Sequence, residues 1–403
     1  MTSSVQRIPG MPKSKNSNQE KSFNTRQLCF FAAFVLPVTK LLETPALLAK
    51  YALGDLLLPA FLHYLLQSSA LAALLLTVAK TGKGLFTLIE EKLGNLGSKI
   101  FYAAIAIYFL FSSLLPFVEL EKFSQVVFFD TAPYAFTFTP FFFLSAFVCV
   151  KSLRSFARIC DLCFPIFIVA FFGLIFMSAG ETDFESVLPW FEFPLSKILT
   201  AVKFTTSHFA DAIIFLPLLG DYAHEKGAGK KIYLSFWAGA GFVLLFLAVF
   251  YGLYTATAPT HHYAFTKIAQ YFPALKTVGR IDLILVYLLS VILFFAHVLP
   301  VKLCSLCLKK ILPTKSAILF PALLNAALFL FVLFFDKRQN ALFQTITQTL
   351  WWVFPIFSVL LPLACVLLTV LPPQKPTNAN HANRANPANQ THSHTLKEGN
   401  YAR

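Results

Sequence analysis

The chain reads as an all-α integral membrane protein of about ten transmembrane helices, arranged as two inverted five-helix repeats of LeuT-like transporter type. Three observations predict this. Of 403 residues 57% are hydrophobic and only 13% charged, with mean hydropathy +0.67, and so few charges cannot cover a globular surface. Ten apolar stretches approach the ~20 residues that a span needs. The first and sixth of them carry ionisable residues, and these two stand five apart, the spacing at which such repeats place their broken, substrate-binding helices.

The ten stretches cover residues 26–50, 55–79, 100–117, 136–150, 156–179, 198–220, 232–256, 283–307, 316–335 and 350–371. They form one transmembrane domain over 26–371, with repeat one at 26–180 and repeat two at 198–371. Residues 1–25 are polar and basic without the apolar core of a signal peptide, so the first span is expected to remain as a helix. Residues 372–403 follow a Pro-Pro-Gln-Lys-Pro sequence and are rich in Asn, Ala, His and Thr; both ends are expected to be disordered. The 47 Phe suit lipid-facing and helix-packing surface and identify no ligand.

With the N-terminus placed in the cytoplasm, the inner segments hold 23 Lys and Arg and the outer loops 8, while Glu119, Glu121, Asp130, Glu181, Asp183, Glu185 and Glu192 gather outside. The positive-inside rule then puts both termini in the cytoplasm. This bias, with anionic lipid at the inner leaflet, accounts for the net charge of +14 without any nucleic-acid partner.

In the first segment Lys40 and Glu43 lie three apart, on one helical face between Pro37 and Pro45. Counted from Arg26, Lys40 is about 21 Å along at about 1.5 Å per residue, beyond mid-depth. In the sixth, Lys203, Ser207 and Asp211 form one stripe, with His208 a turn from Asp211. Lys203 is close enough to the surface to snorkel. Asp211 is about 20 Å in, and its short side chain must be paired, protonated or wet. Lys40 is its natural partner. Thr39, Lys40, Glu43, Ser207, His208 and Asp211 are therefore the candidate ligand-binding residues, with helix one interrupted between Pro37 and Pro45 and helix six between Thr205 and Asp211.

The cysteines include two Cys-x-x-Cys pairs, Cys160/Cys163 and Cys304/Cys307. Four thiolates suit zinc or an iron–sulfur cluster. Their apolar flanks read instead as small buried residues, and no metal or cofactor is expected. Walker, dinucleotide, nucleophile-elbow and His-Glu-x-x-His motifs are absent, so no enzyme is expected.

Several short motifs resemble one family. Arg26-Gln27 stands before the first helix, which carries Thr39, Leu42 and Pro45, and Gly54-Asp55 turns into the second. An amphipathic stretch runs from Leu85 to Gly94, Asp211 precedes Ile213-Ile214-Phe215-Leu216-Pro217, and Arg280-Ile281-Asp282 precedes the eighth helix. This layout resembles the B-subunits of spore germinant receptors (GerAB-type, endospore germination permeases) in the amino acid–polyamine–organocation superfamily. The resemblance implies a receptor subunit in the cell or spore inner membrane. That subunit would bind an amino acid or similar nutrient between helices one and six, beside a large membrane subunit and a lipoprotein. Two alternatives stay open: a proton-coupled amino acid permease, and a non-transporting membrane scaffold. The family's helix-one glycine is Val38 here, which puts recognition by exposed backbone in question.

Overall fold

The computed structural model describes residues 23–128, 134–188, 191–222, 224–271, 282–314, 316–335 and 338–370, and every regular element among them is helical. The two tails expected to be disordered lie almost wholly outside the described residues, as do Arg280 and Ile281. So do the side chains of Asp282 and Cys160.

The first span is split into α1 (Thr25–Val38) and α2 (Thr44–Ala52). Next come α3 (Leu57–Thr81) and α4 (Leu85–Phe128), the latter kinked at Gly94, whose φ of 68° ends its amphipathic first turns. Then follow α5 (Tyr134–Val150) and α6 (Leu153–Ser178). The sixth span is split into α7 (Leu195–Thr205), which tightens into a 3-10 turn at Thr206–Phe209, and α8 (Ala212–Leu218). The chain continues through α9 (Ala228–Tyr254), the short α10 (Ala264–Tyr271), α11 (Asp282–Ile311) and α12 (Leu319–Phe335). It ends in α13 (Gln339–Gln344), prolonged by a wide turn at Thr345–Thr349, and α14 (Val353–Thr369), bent by 57° from α13.

Every expected segment holds a helix, but among the described residues only six runs are long and apolar enough to span alone. The others are short or bent: α1, α5, α12 and the α13–α14 pair, which counts as a seventh span if taken as one. A break explains α1, since it divides the first apolar stretch between two axes, whereas the bend between α13 and α14 falls at residues 350–352, where the last apolar stretch begins. The protein is thus a multi-pass helical membrane protein.

The broken helices sit inside the bundle. α11 packs along α4 and α9 along α3, while α1 rests on α9 and α6, and α2 lies against α7. One glycine lets α1 in. Pro37 has no N–H to return to Ala32 or Ala33. Those two carbonyls face Gly239 of α9, where a Cβ would meet Ala32 O at 2.6 Å and Ala33 O at 3.2 Å.

Candidate functional site

Pro37 and Pro45 bracket the first break. Thr39 to Glu43 leave the helix without any residue at positive φ: Thr39 has φ −63° and ψ −22°, Glu43 φ −82° and ψ −27°. Val38 is thus no obstacle, because no residue of the break takes the positive φ that would call for a glycine. Five of the carbonyls around this break are taken. Leu36 O accepts from Thr39 Oγ1 (2.7 Å) and Lys40 Nζ (3.1 Å), Pro37 O from Lys40 N (2.9 Å) and Val38 O from Leu41 N (3.2 Å). Leu41 O and Leu42 O each accept at 3.0 Å from Phe265 N and Ala264 N at the start of α10.

The second break is built from the 3-10 turn and two loop residues, Ala210 (φ −79°, ψ 59°) and Asp211. It is held from α3. Ala212 N donates to Gln67 Oε1 at 2.9 Å, while Gln67 Nε2 donates to Ser358 Oγ of α14 at 3.0 Å. One turn away on α3, His63 lies 3.0 Å from Thr205 Oγ1 and stacks on Phe209 at 4.6 Å. The expected stripe is bent by this turn. Ser207 and Asp211 face a cavity, whereas Lys203 is exposed and lies over the rings of Phe204 and Trp351, 5.2 Å from each.

The two breaks meet at one ion pair. Lys40 Nζ donates to Asp211 Oδ1 at 2.5 Å, and the side chains are 2% and 4% exposed. Lys40 also donates to Thr39 Oγ1 at 3.0 Å and to Leu36 O, so its three N–H groups each have an acceptor. Asp211 is less complete: Oδ2 is buried without a hydrogen-bond partner. The residue lines a cavity of about 100 Å³ shared by Thr39, Lys40, Ser207 and His208 from the breaks with Ser112 of α4 and His297 of α11.

Glu119 lines the same cavity. The chain pattern assigns Glu119 and Glu121 to a loop after residue 117, but α4 runs on past Pro116 and buries both. The carboxylate is tolerated there because Glu119 Oε1 lies 2.9 Å from His208 Nε2, while His208 Nδ1 is 3.1 Å from Ser207 Oγ. His208 is thus joined to α4 and not to Asp211. Glu43 stands apart from Lys40. Its Oε2 is 2.8 Å from His262 Nδ1, and the two line a second cavity of about 390 Å³ toward α10, which Glu119 also borders. In the loop before α10, this hydrogen bond raises the pKa of His262 above its ordinary value.

Further from the cavity, Gly54-Asp55 gains a role that no spacing foretold. The buried Asp55 carboxylate accepts from Phe191 N (2.7 Å) and Phe193 N (2.9 Å), pinning the segment that enters α7. The thiols of Cys163, Cys304 and Cys307 are buried, and Cys304 Sγ donates to Ala106 O at 3.3 Å. Among the described residues no group of three or more His, Cys, Asp or Glu is gathered as a metal site.

Two interrupted helices joined at a buried ion pair, within a multi-pass helical bundle, define a permease-like membrane protein. The chain belongs to the spore germination protein family, whose spore permease model matches residues 57–341. No curated protein matches the chain. Among solved structures it is similar to the manganese transporter of Eremococcus coleocola. A histidine-to-alanine and a glutamate-to-glutamine variant of that protein each give TM-score 0.46 and 12% identity, over 89% of this chain and 79% of theirs. The same transporter with an aromatic bis-isothiourea compound gives 0.44 and 10% over the same shares.

Proposed function

We propose that the chain is the nutrient-binding membrane subunit of a spore germinant receptor, taking a small amino acid between the two broken helices. The observation that carries this reading is Asp211, which lines the central cavity and whose buried carboxylate oxygen Oδ2 has no donor of its own. A ligand ammonium supplies that donor, and a charge-assisted hydrogen bond in a desolvated site is a strong one. The Lys40–Asp211 pair fixes the oxygen's direction. The five occupied carbonyls of the first break argue that recognition falls to side chains, with Thr39, Ser207 and His208 around the ligand. About 100 Å³ suits a ligand of few heavy atoms. Glu43, in the neighbouring cavity, serves the approach to the site and not the site itself. With the termini cytoplasmic by charge, the α10 face is the outer one, and the signal passes to a large membrane subunit and a lipoprotein.

The test is spore germination with a panel of small amino acids, scored beside the amount of subunit in the membrane. Asp211→Asn should abolish or strongly blunt the response while the subunit is retained. Wild-type germination by that variant would overturn the assignment.

A second reading, a proton-coupled amino acid permease, is favoured by one observation: Glu119 borders both cavities and is paired with His208, which lines the central one. Uptake of radiolabelled alanine into vesicles, driven by a pH gradient, would select it over a receptor that binds without transport.

A further inference from the structure

Glu119 stands at a wall between two spaces. On one side is the central cavity with Ser207, His208 and Asp211; on the other is the larger cavity with Glu43, Lys122 and His262. Its Oε1 is 2.9 Å from His208 Nε2, and the two side chains are 8% and 6% exposed. The far ring nitrogen of His208 is 3.1 Å from Ser207 Oγ, and Ser207 shares the central cavity with Asp211, whose Oδ2 is unpartnered. Holding a carboxylate and an imidazole at such depth costs several kcal/mol in desolvation, which their mutual attraction only partly offsets. The Lys40–Asp211 pair does not need them, since it shares no hydrogen bond with either. A carboxylate and an imidazole in hydrogen-bond contact, with one open cavity on each side, are instead suited to moving a proton.

We infer that Glu119 and His208 deliver protons from the α10-side cavity to Asp211. A hydronium ion in the larger cavity protonates Glu119 and leaves water. The carboxylic acid gives that proton to Nε2 of a neutral imidazole that carries its own proton on Nδ1. The imidazolium then releases the Nδ1 proton through Ser207 Oγ and one cavity water to Asp211 Oδ2. Glu119 is again a carboxylate, and His208 is neutral in its other tautomer, which exchange through cavity water resets. One proton has moved and no electrons have. Asp211, once neutral, no longer holds Lys40 by charge, and the clamp between the two helix breaks loosens.

The charged and titratable groups facing Glu119 belong to each surrounding element. They are Lys122 on α4 itself, His208 on the 3-10 turn, His297 on α11, Lys40 and Asp211 at the breaks, and Glu43 and His262 toward α10.

The path ends on the carboxylate assigned above to a ligand amine, but it is measured with no ligand present. Infrared spectra of the reconstituted full chain at about pH 5 should contain a carboxylic-acid carbonyl band that is missing in Asp211→Asn. On changing the buffer to D2O, that band should shift quickly in the wild type. In Glu119→Gln and in His208→Gln, both near-isosteric with retained polarity, the shift should slow by about tenfold or more. His261→Gln, in the loop before α10 and outside both cavities, should exchange at the wild-type rate. Melting curves of each variant identify any that misfold. Exchange as fast in folded Glu119→Gln and His208→Gln as in the wild type would overturn the path, as would the lack of any Asp211 band. Exchange that behaves as expected, together with no binding of any small amino acid when these are added to the same protein, would sink the binding reading alone.

Discussion

The Lys40–Asp211 pair permits a quantitative test. Asp211→Asn removes the negative charge and leaves the ammonium with neutral acceptors only: Thr39 Oγ1, Leu36 O and the new amide oxygen. Lys40→Met does the reverse: it strands a carboxylate whose Oδ2 already has no partner. Each single change should cost about 3–5 kcal/mol, the usual penalty for leaving one member of a buried pair uncompensated. The double variant leaves no buried charge at this point, and methionine refills most of the lysine's volume, so it should lie within about 1–2 kcal/mol of wild type. The expected coupling is therefore several kcal/mol, far beyond the few tenths seen for independent sites. Thermal unfolding of the four proteins in one detergent, followed by tryptophan fluorescence, measures the cycle. If the double variant loses the sum of the two single losses, the pair does not join the breaks, and the reasoning from burial and geometry fails.

Other perturbations probe the supports of the site. Gly239→Val should push α9 off the Ala32 and Ala33 carbonyls and destabilise the protein by about 1–3 kcal/mol, read as a lower melting temperature, with Gly239→Ala smaller in the same direction. Asp55→Asn replaces one acceptor oxygen by a donor and strands Phe191 N or Phe193 N, a loss of about 1–3 kcal/mol that limited proteolysis between residues 186 and 194 should register as faster cutting. The Glu43–His262 contact should titrate. Because the folded state raises the pKa of His262, its contribution is fully present below the unfolded value and is lost as pH rises through the higher folded one. Hydrogen exchange at residues 261–265 should accordingly speed up on the alkaline side, and Glu43→Gln should return the imidazole pKa toward its ordinary value, as seen by NMR.

Much of the site was legible because its strongest signals are costs. A lysine and an aspartate some 20 Å into apolar helices demand each other, and prolines name the place where a helix must yield. Supports that cost nothing in isolation were silent. Gln67 and His63 are ordinary polar residues of an apolar helix until Ala212 and Thr205 arrive from over a hundred positions away. Glu119 was misplaced for a related reason: charge at the end of an apolar run looks like the end of the span, and only His208 across the cavity shows why the helix continues. Val38 gave a warning that applied to backbone recognition and not to the break, since the chain loosens there within φ values open to any residue. Asp55 carried the right motif, but its two backbone donors come from a loop whose path the sequence does not encode in any spacing.

The ion pair between the breaks also has an electrical consequence. A single charge moving through the membrane potential exchanges about 2.3 kcal/mol per 100 mV with the field, whereas a +1 and a −1 displaced together exchange nothing. While Lys40 and Asp211 remain clasped, any rocking of the two broken helices is therefore blind to voltage. A proton settling on Asp211 ends that neutrality: the cation on the first break then feels the field alone, and the same motion becomes a step that membrane potential can drive or resist.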